Sequence, residues 1–188
     1  MSQAETRKKK IAKIVIAYPF ALILISLAIN LLLFGIQPAT IALPTRAIMI
    51  AMISSAVLLL ANHIWLMTST ELTRLQHNIR TTPEEWEQSE HNKADVSEKG
   101  TQELERRHNA HRNTTENVVY FAFLTILISI ISPVAIAAQV WMVGFAIGRL
   151  GYTFSYLTAR DGTRGIFMSI SLVSLFGLAS YLMLSLFV

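Results

Sequence analysis

Five stretches of this chain are apolar over lengths that suit a lipid environment, roughly residues 14–36, 46–69, 118–132, 134–158 and 165–188. A hydrocarbon core about 30 Å thick takes about 20 helical residues. Backbone in that medium must satisfy its own hydrogen bonds, so each stretch is expected to be a helix. The third is short by itself, but ELERRHNAHRNTTEN just before it holds neither proline nor glycine. A helix starting near Thr101 in water and continuing inward is expected there. QPATIALP separates the first two stretches and Ser132-Pro133 the third and fourth, short connections that suit antiparallel neighbours. The fold class is therefore all-α, an integral membrane helical bundle. The block beginning at Ile14 is too long for the core of a cleavable signal and no A-x-A-like site closes it, so it is expected to stay as an anchor.

The remaining composition narrows the chemistry. There is no cysteine, so disulfides, thiolate metal sites and a thiol nucleophile of the protein's own are excluded, and any sulfur chemistry needs an outside thiol. The net charge of +4 sits beside apolar blocks, where anionic headgroups account for it, and no nucleic-acid partner is expected. Ten of the twelve acidic residues lie between Glu71 and Asn117, which marks that section as a solvent-exposed loop leading into a helix. With five spans, RKKK and Lys13, the long loop and the Arg160/Arg164 connection fall on one side and only Arg46 on the other. That asymmetry predicts a multi-pass protein with its N-terminus and long loop in the cytoplasm, in a bacterial inner membrane or the endoplasmic reticulum.

At 3.6 residues per turn, Asn109, Asn113, Glu116, Asn117 and Tyr120 share one face, with Arg112 beside Glu116 at i,i+4. In the fourth stretch Arg149, Tyr152, Thr153, Tyr156 and Arg160 share another. An arginine within a span is costly unless it pairs or lines a wet cavity, which makes Arg149 a candidate site residue with Glu116 as its expected partner. The same two residues read also as a structural ion pair. Arg106, Arg107 and Arg112 read also as headgroup flanks, and Tyr152 and Tyr156 as interfacial anchors. His108 and His111 lack a third ligand at telling spacing, so they are expected to be solvated and no metal site is expected.

ELERRHNAHRNTTENVVYF followed by GRLGYTFSYLTARDGTRG, with RTTPEEW after the second stretch, resembles the membrane-associated proteins in eicosanoid and glutathione metabolism, the MAPEG family. The likeness is to its microsomal glutathione transferase and prostaglandin E synthase branch. That branch carries E-R-x-x-R-A-H-x-N-D-x-E and R-x-x-H-T-x-A-Y-L, then a short basic loop. The resemblance implies a homotrimer of four-helix bundles formed by residues 46–188, with a polar cytoplasmic loop at 71–100. Residues 1–45 would then be a basic tail and an additional N-terminal transmembrane helix.

The resemblance further implies glutathione as cosubstrate, bound between subunits at the cytoplasmic side, with a lipophilic electrophile entering from the bilayer. By motif position Arg112, Asn113, Glu116 and Tyr156 would hold glutathione, Arg74 would reach it from a neighbouring subunit, and Arg149 and Arg164 would be catalytic. The implied activity is glutathione transfer or peroxidase chemistry. Guanidinium forks suit its carboxylates, a carboxylate suits its ammonium, and a guanidinium beside the sulfur favours the thiolate. Tyr152 stands where the family usually has histidine, Asn109 where a basic residue is usual, and Gly165 lacks a serine hydroxyl found in the prostaglandin synthase. The loop before Arg164 is one residue shorter. These departures count against isomerase specificity more than against transfer. A non-catalytic lipid-binding scaffold on the same fold is the competing reading; it would not need Arg112, Glu116 and Arg164 together.

Overall fold

The computed structural model describes residues 3–188. Among these described residues six α-helices follow in chain order: α1 (Gln3–Ile29), α2 (Arg46–Gln76), the short α3 (Pro83–Glu87), α4 (Glu98–Ser129), α5 (Ala135–Leu157) and α6 (Asp161–Ser185). A π-helical turn, Asn30–Phe34, extends α1, and Lys93–Asp95 forms a single 3₁₀ turn. Among the described residues there is no strand. Among the described residues four helices are long and apolar enough to cross a membrane: α1 with its π turn, α2, α5 and α6. This is an integral membrane protein.

The helix boundaries follow local chemistry. Thr45 caps α2 by accepting from the Ile48 N–H, and Ser97 caps α4 by accepting from the Gly100 N–H at 3.1 Å, each satisfying a donor that the first turn leaves open. From Ser97, α4 runs unbroken through charged sequence into apolar sequence, as expected, starting at Glu98 rather than Thr101. Its apolar half carries the third stretch, and its charged half keeps the whole helix out of the membrane-like class. Ser132, at φ 51°, lies in the turn into α5.

Packing centres on α5, which contacts α2, α4 and α6, its pairing with α6 being the most extensive. Phe121 of α4 stacks on Phe145 of α5 with ring centroids 4.2 Å apart, and Ile48, Ile128, Met142 and Leu178 fill the surrounding core. Gly148 sets the α5–α6 separation: a Cβ there would meet the Ser171 backbone nitrogen at 2.8 Å. In lipid, such small residues let backbones approach where no hydrophobic drive separates helix from solvent.

Helix α1 lies against α6. The Tyr18 hydroxyl meets the Ser169 hydroxyl at 2.8 Å. Asn30 is fully buried, accepts from the Trp141 indole N–H at 2.8 Å, and donates to the Gly177 carbonyl and the Ser180 hydroxyl, both at 2.9 Å. The connection to α2 then crosses the end of the bundle, where Ala39, Thr40 and Ala42 donate to the carbonyls of Ser185, Ile131 and Ile130.

Candidate functional site

Where α4 leaves its charged half, it packs on the end of α5, and Arg149 fills the contact. Its side chain is fully buried. One terminal nitrogen donates to the Asn113 side-chain oxygen at 2.9 Å; the other donates to the Ser171 hydroxyl at 3.0 Å and the Met168 sulfur at 3.1 Å. The guanidinium also sits 4.5 Å from the centre of the Tyr152 ring. No carboxylate pairs with it among the described residues, and its Nε has no hydrogen-bond partner. The expected partnership with Glu116 is not made. Glu116 is exposed on the outer side of α4, and Asn113, on the side turned toward α5, takes its place. The Arg112–Glu116 contact is not made either: Arg112 donates to the Asn109 side chain at 2.8 Å.

Immediately outside this buried cation are two adjoining hollows that share Tyr156 and Arg164. One, of about 330 Å³, is lined by Tyr152, Tyr156, Arg164, Gly165 and Met168; the other, of about 180 Å³, by Gln102, Glu105, Arg106, Asn109, Tyr156 and Arg164. Arg164 lies over the Tyr156 ring at 5.0 Å and 3.2 Å from the Asp161 carboxylate. Arg106 reaches the Tyr156 carbonyl at 3.4 Å. Two cations, two phenols, two amides and the Glu105 carboxylate thus converge at the aqueous end of α4, α5 and α6. Such a mix holds an anionic polar molecule by charge and a ring or sulfur by its apolar parts.

Of the residues expected at the site, Arg149, Asn113, Tyr156 and Arg164 are brought to this corner. Arg112 and Glu116 point outward from α4. Arg74 is on the α2 side, where it donates to Glu71 at 2.7 Å and to His108 Nε2 at 3.3 Å. Arg106 and Glu105 belong to the hollow although neither is among the site residues expected from the sequence, where Arg106 read also as a headgroup flank. The signal was their place in the E-R pair that opens the α4 motif.

The two histidines are not simply solvated. His108 accepts from Arg74, so its neutral ring carries the proton on Nδ1, and burial first, then the Arg74 charge, hold its pKa below the usual imidazole value. His111 Nε2 lies 3.2 Å from His63 Nδ1. No cluster of three or more metal-ligating side chains occurs among the described residues. Nearby, Glu103 bonds Arg107 at 2.6 Å, which holds its pKa below the usual carboxylate value, and Arg107 also donates to the Ser69 carbonyl at 3.1 Å, tying α4 to α2.

No curated protein and no solved structure matches the chain. The family model described as MAPEG family matches residues 52–184, which takes in most of α2, all of α4 and α5 and nearly all of α6 and leaves α1 before it. With this match over most of its length, and with the motif helices packed around one polar corner, the chain belongs to the MAPEG family.

Proposed function

We propose that this protein is a membrane-bound glutathione transferase, with peroxidase activity toward lipid hydroperoxides, and that the corner of Arg106, Tyr156 and Arg164 receives the thiol. The observation that carries this reading is a cation-rich hollow backed by a buried guanidinium that has no counter-anion. Such an arrangement has positive potential left over for an incoming anion, and a low-dielectric surrounding strengthens it. The chemistry supplied by the bound tripeptide is that of a nucleophilic thiolate. Arg164, on the rim, is placed to favour ionisation of a thiol whose ordinary pKa is about 8.5; each unit of lowering corresponds to about 1.4 kcal/mol. Arg106 and Arg149 add field without needing contact. Tyr152 and Tyr156 provide hydroxyls for orientation and ring faces that exclude water.

In the transfer reaction the thiolate forms a carbon–sulfur bond as the leaving group departs with its electron pair. With a hydroperoxide, two thiols are oxidised to a disulfide while the peroxide is reduced to an alcohol and water. Both substrates are lipophilic and reach the site from the bilayer.

Arg112, Glu116 and Arg74 do not reach this corner in one chain. Glu116 is exposed and forms no ion pair among the described residues. We assign all three to glutathione bound at a subunit boundary of a homotrimer, Glu116 to its ammonium, Arg112 to a carboxylate and Arg74 from the neighbouring chain. On this reading α4 completes a five-span topology with the N-terminus and the 71–100 loop cytoplasmic. The first test is conjugation of a generic aryl halide by purified protein, with and without glutathione. Arg164→Ala lowers turnover more than affinity and diminishes the bound thiolate absorbance, whereas Glu116→Ala chiefly weakens affinity. Absence of glutathione-dependent turnover and of glutathione binding would leave the lipid-binding scaffold as the reading.

A further inference from the structure

Two contacts with charged donors tie the aqueous half of α4 to α2: Arg107 donates to the Ser69 carbonyl, and Arg74 donates to His108. A third contact differs from both. His63 of α2 and His111 of α4 bring their ring centres to 5.1 Å, with His63 Nδ1 and His111 Nε2 3.2 Å apart. Two imidazolium rings would repel at that distance, so at least one ring is neutral. The separation also suits more than a shared proton. Two zinc–nitrogen bonds at a tetrahedral angle hold their nitrogens roughly 3.3–3.4 Å apart, and these two nitrogens already stand close to that spacing. With the ring protons on His63 Nε2 and His111 Nδ1, both facing lone pairs are free and no charge has changed.

The surroundings supply the rest of a coordination sphere. Thr114, one turn of α4 beyond His111, is buried, and its hydroxyl has no hydrogen-bond partner. It lines the same hollow between α2 and α4 as both imidazoles, about 500 Å³ in volume. That leaves room for the water ligands that complete four-coordination, and a hydroxyl to orient one of them. His63 is exposed and His111 half-buried, so an ion can reach the pair. No carboxylate lines the hollow. Imidazole nitrogen with water suits zinc or copper, whereas magnesium and calcium require oxygen donors that are missing from this lining.

We propose that His63 and His111 form a binding site for one divalent transition-metal ion of the zinc and copper class, which clasps α2 to α4 with water completing its coordination beside Thr114. The two ligands come from different helices, so the packed bundle holds them in place before the ion arrives, and binding fixes the α2–α4 pairing in return. The site is separate from the thiol corner and does not rest on the transferase reading.

The test uses the full chain in detergent near neutral pH, purified without a histidine tag and stripped of metal by a chelator. Zn²⁺ is titrated calorimetrically, and Cu²⁺ is followed by electron paramagnetic resonance. One saturable Zn²⁺ site is expected, with Cu²⁺ coupled to two imidazole nitrogens and a thermal midpoint that rises with Zn²⁺ concentration. His63→Asn and His111→Asn should each weaken Zn²⁺ binding by about tenfold or more, at least the cost of losing an outer supporting group. His77→Asn/His91→Asn/His108→Asn leaves His63 and His111 as the only histidines, and the site should persist there. If the single variants fail to fold, this triple variant decides: two-nitrogen coupling supports the site and its loss overturns it. Absence of saturable binding by the wild type, or unchanged affinity in both single variants, would overturn it as well.

Discussion

Helix α5 carries two buried polar joints, about 12 Å apart at 1.5 Å per residue, and they are built on opposite principles. At Trp141 the joint with α1 and α6 is closed: the Asn30 amide uses both its nitrogen and its oxygen, and nothing charged is involved. At Arg149 the joint with α4 and α6 is open: a full charge is buried on neutral partners, its Nε is unpartnered, and the Thr153 hydroxyl four residues on has no partner either. A satisfied neutral network contributes stability and a defined geometry. A buried cation without an anion costs stability and persists where its field is used. The difference assigns the first joint to architecture and the second to the site.

Substituting the open joint should produce the largest change, and in activity rather than stability. Arg149→Met fills similar volume without charge; glutathione-dependent turnover should fall by about two orders of magnitude or more, the scale of losing an electrostatic stabiliser. The thermal midpoint in detergent should hold or rise, since apolar replacements of buried ions are often neutral or stabilising. A lowered midpoint with turnover intact would reverse the assignment of the two joints.

The closed joint should show the converse. Asn30→Leu strands the Trp141 N–H, at about 1–3 kcal/mol for a buried group left unsatisfied, and removes one partner of the Ser180 hydroxyl, which keeps its bond to the Gly177 carbonyl. The expected result is a lower thermal midpoint and faster proteolysis in the segment between α1 and α2, with turnover per folded molecule retained. Trp141→Phe keeps most of the ring but leaves the buried Asn30 oxygen without its donor, so a loss of about 1–3 kcal/mol is expected from the same melt.

The smallest effect concerns the aqueous half of α4, where charges are paired in water's reach. The Arg107 bond holds the Glu103 pKa below its usual value. Its stabilisation is therefore present above the ordinary glutamate range and is lost as pH falls through the lowered folded value. Wild type and Glu103→Gln should differ modestly in thermal midpoint near neutral pH and converge on acidification below about pH 4. A gap that widens on acidification would mean that the pair opposes the fold.

Much of this was legible in the sequence. Apolar blocks of spanning length specify helices, because lipid offers no other partner for the backbone. The absence of glycine and proline between Thr101 and Ser129 allowed one helix from water into lipid, and α4 is that helix. An arginine in the fourth block marked the site because its burial is costly wherever it occurs. Its partner was not legible. Asn113 and Glu116 lie only about 60° apart around α4 at 3.6 residues per turn, and the choice between them depends on how α4 is rotated against α5.

That rotation belongs to the packed bundle. It follows from Phe121 stacking on Phe145, while the close approach at Gly148 brings Ser171 onto the guanidinium. The His63–His111 pair joins positions 48 residues apart and left no local trace. The sequence by itself determined the helices, the medium they occupy and the angle of each side chain about its own axis. Only the tertiary structure decided which faces meet, because the rotation of a helix is set by the side chains of its neighbours.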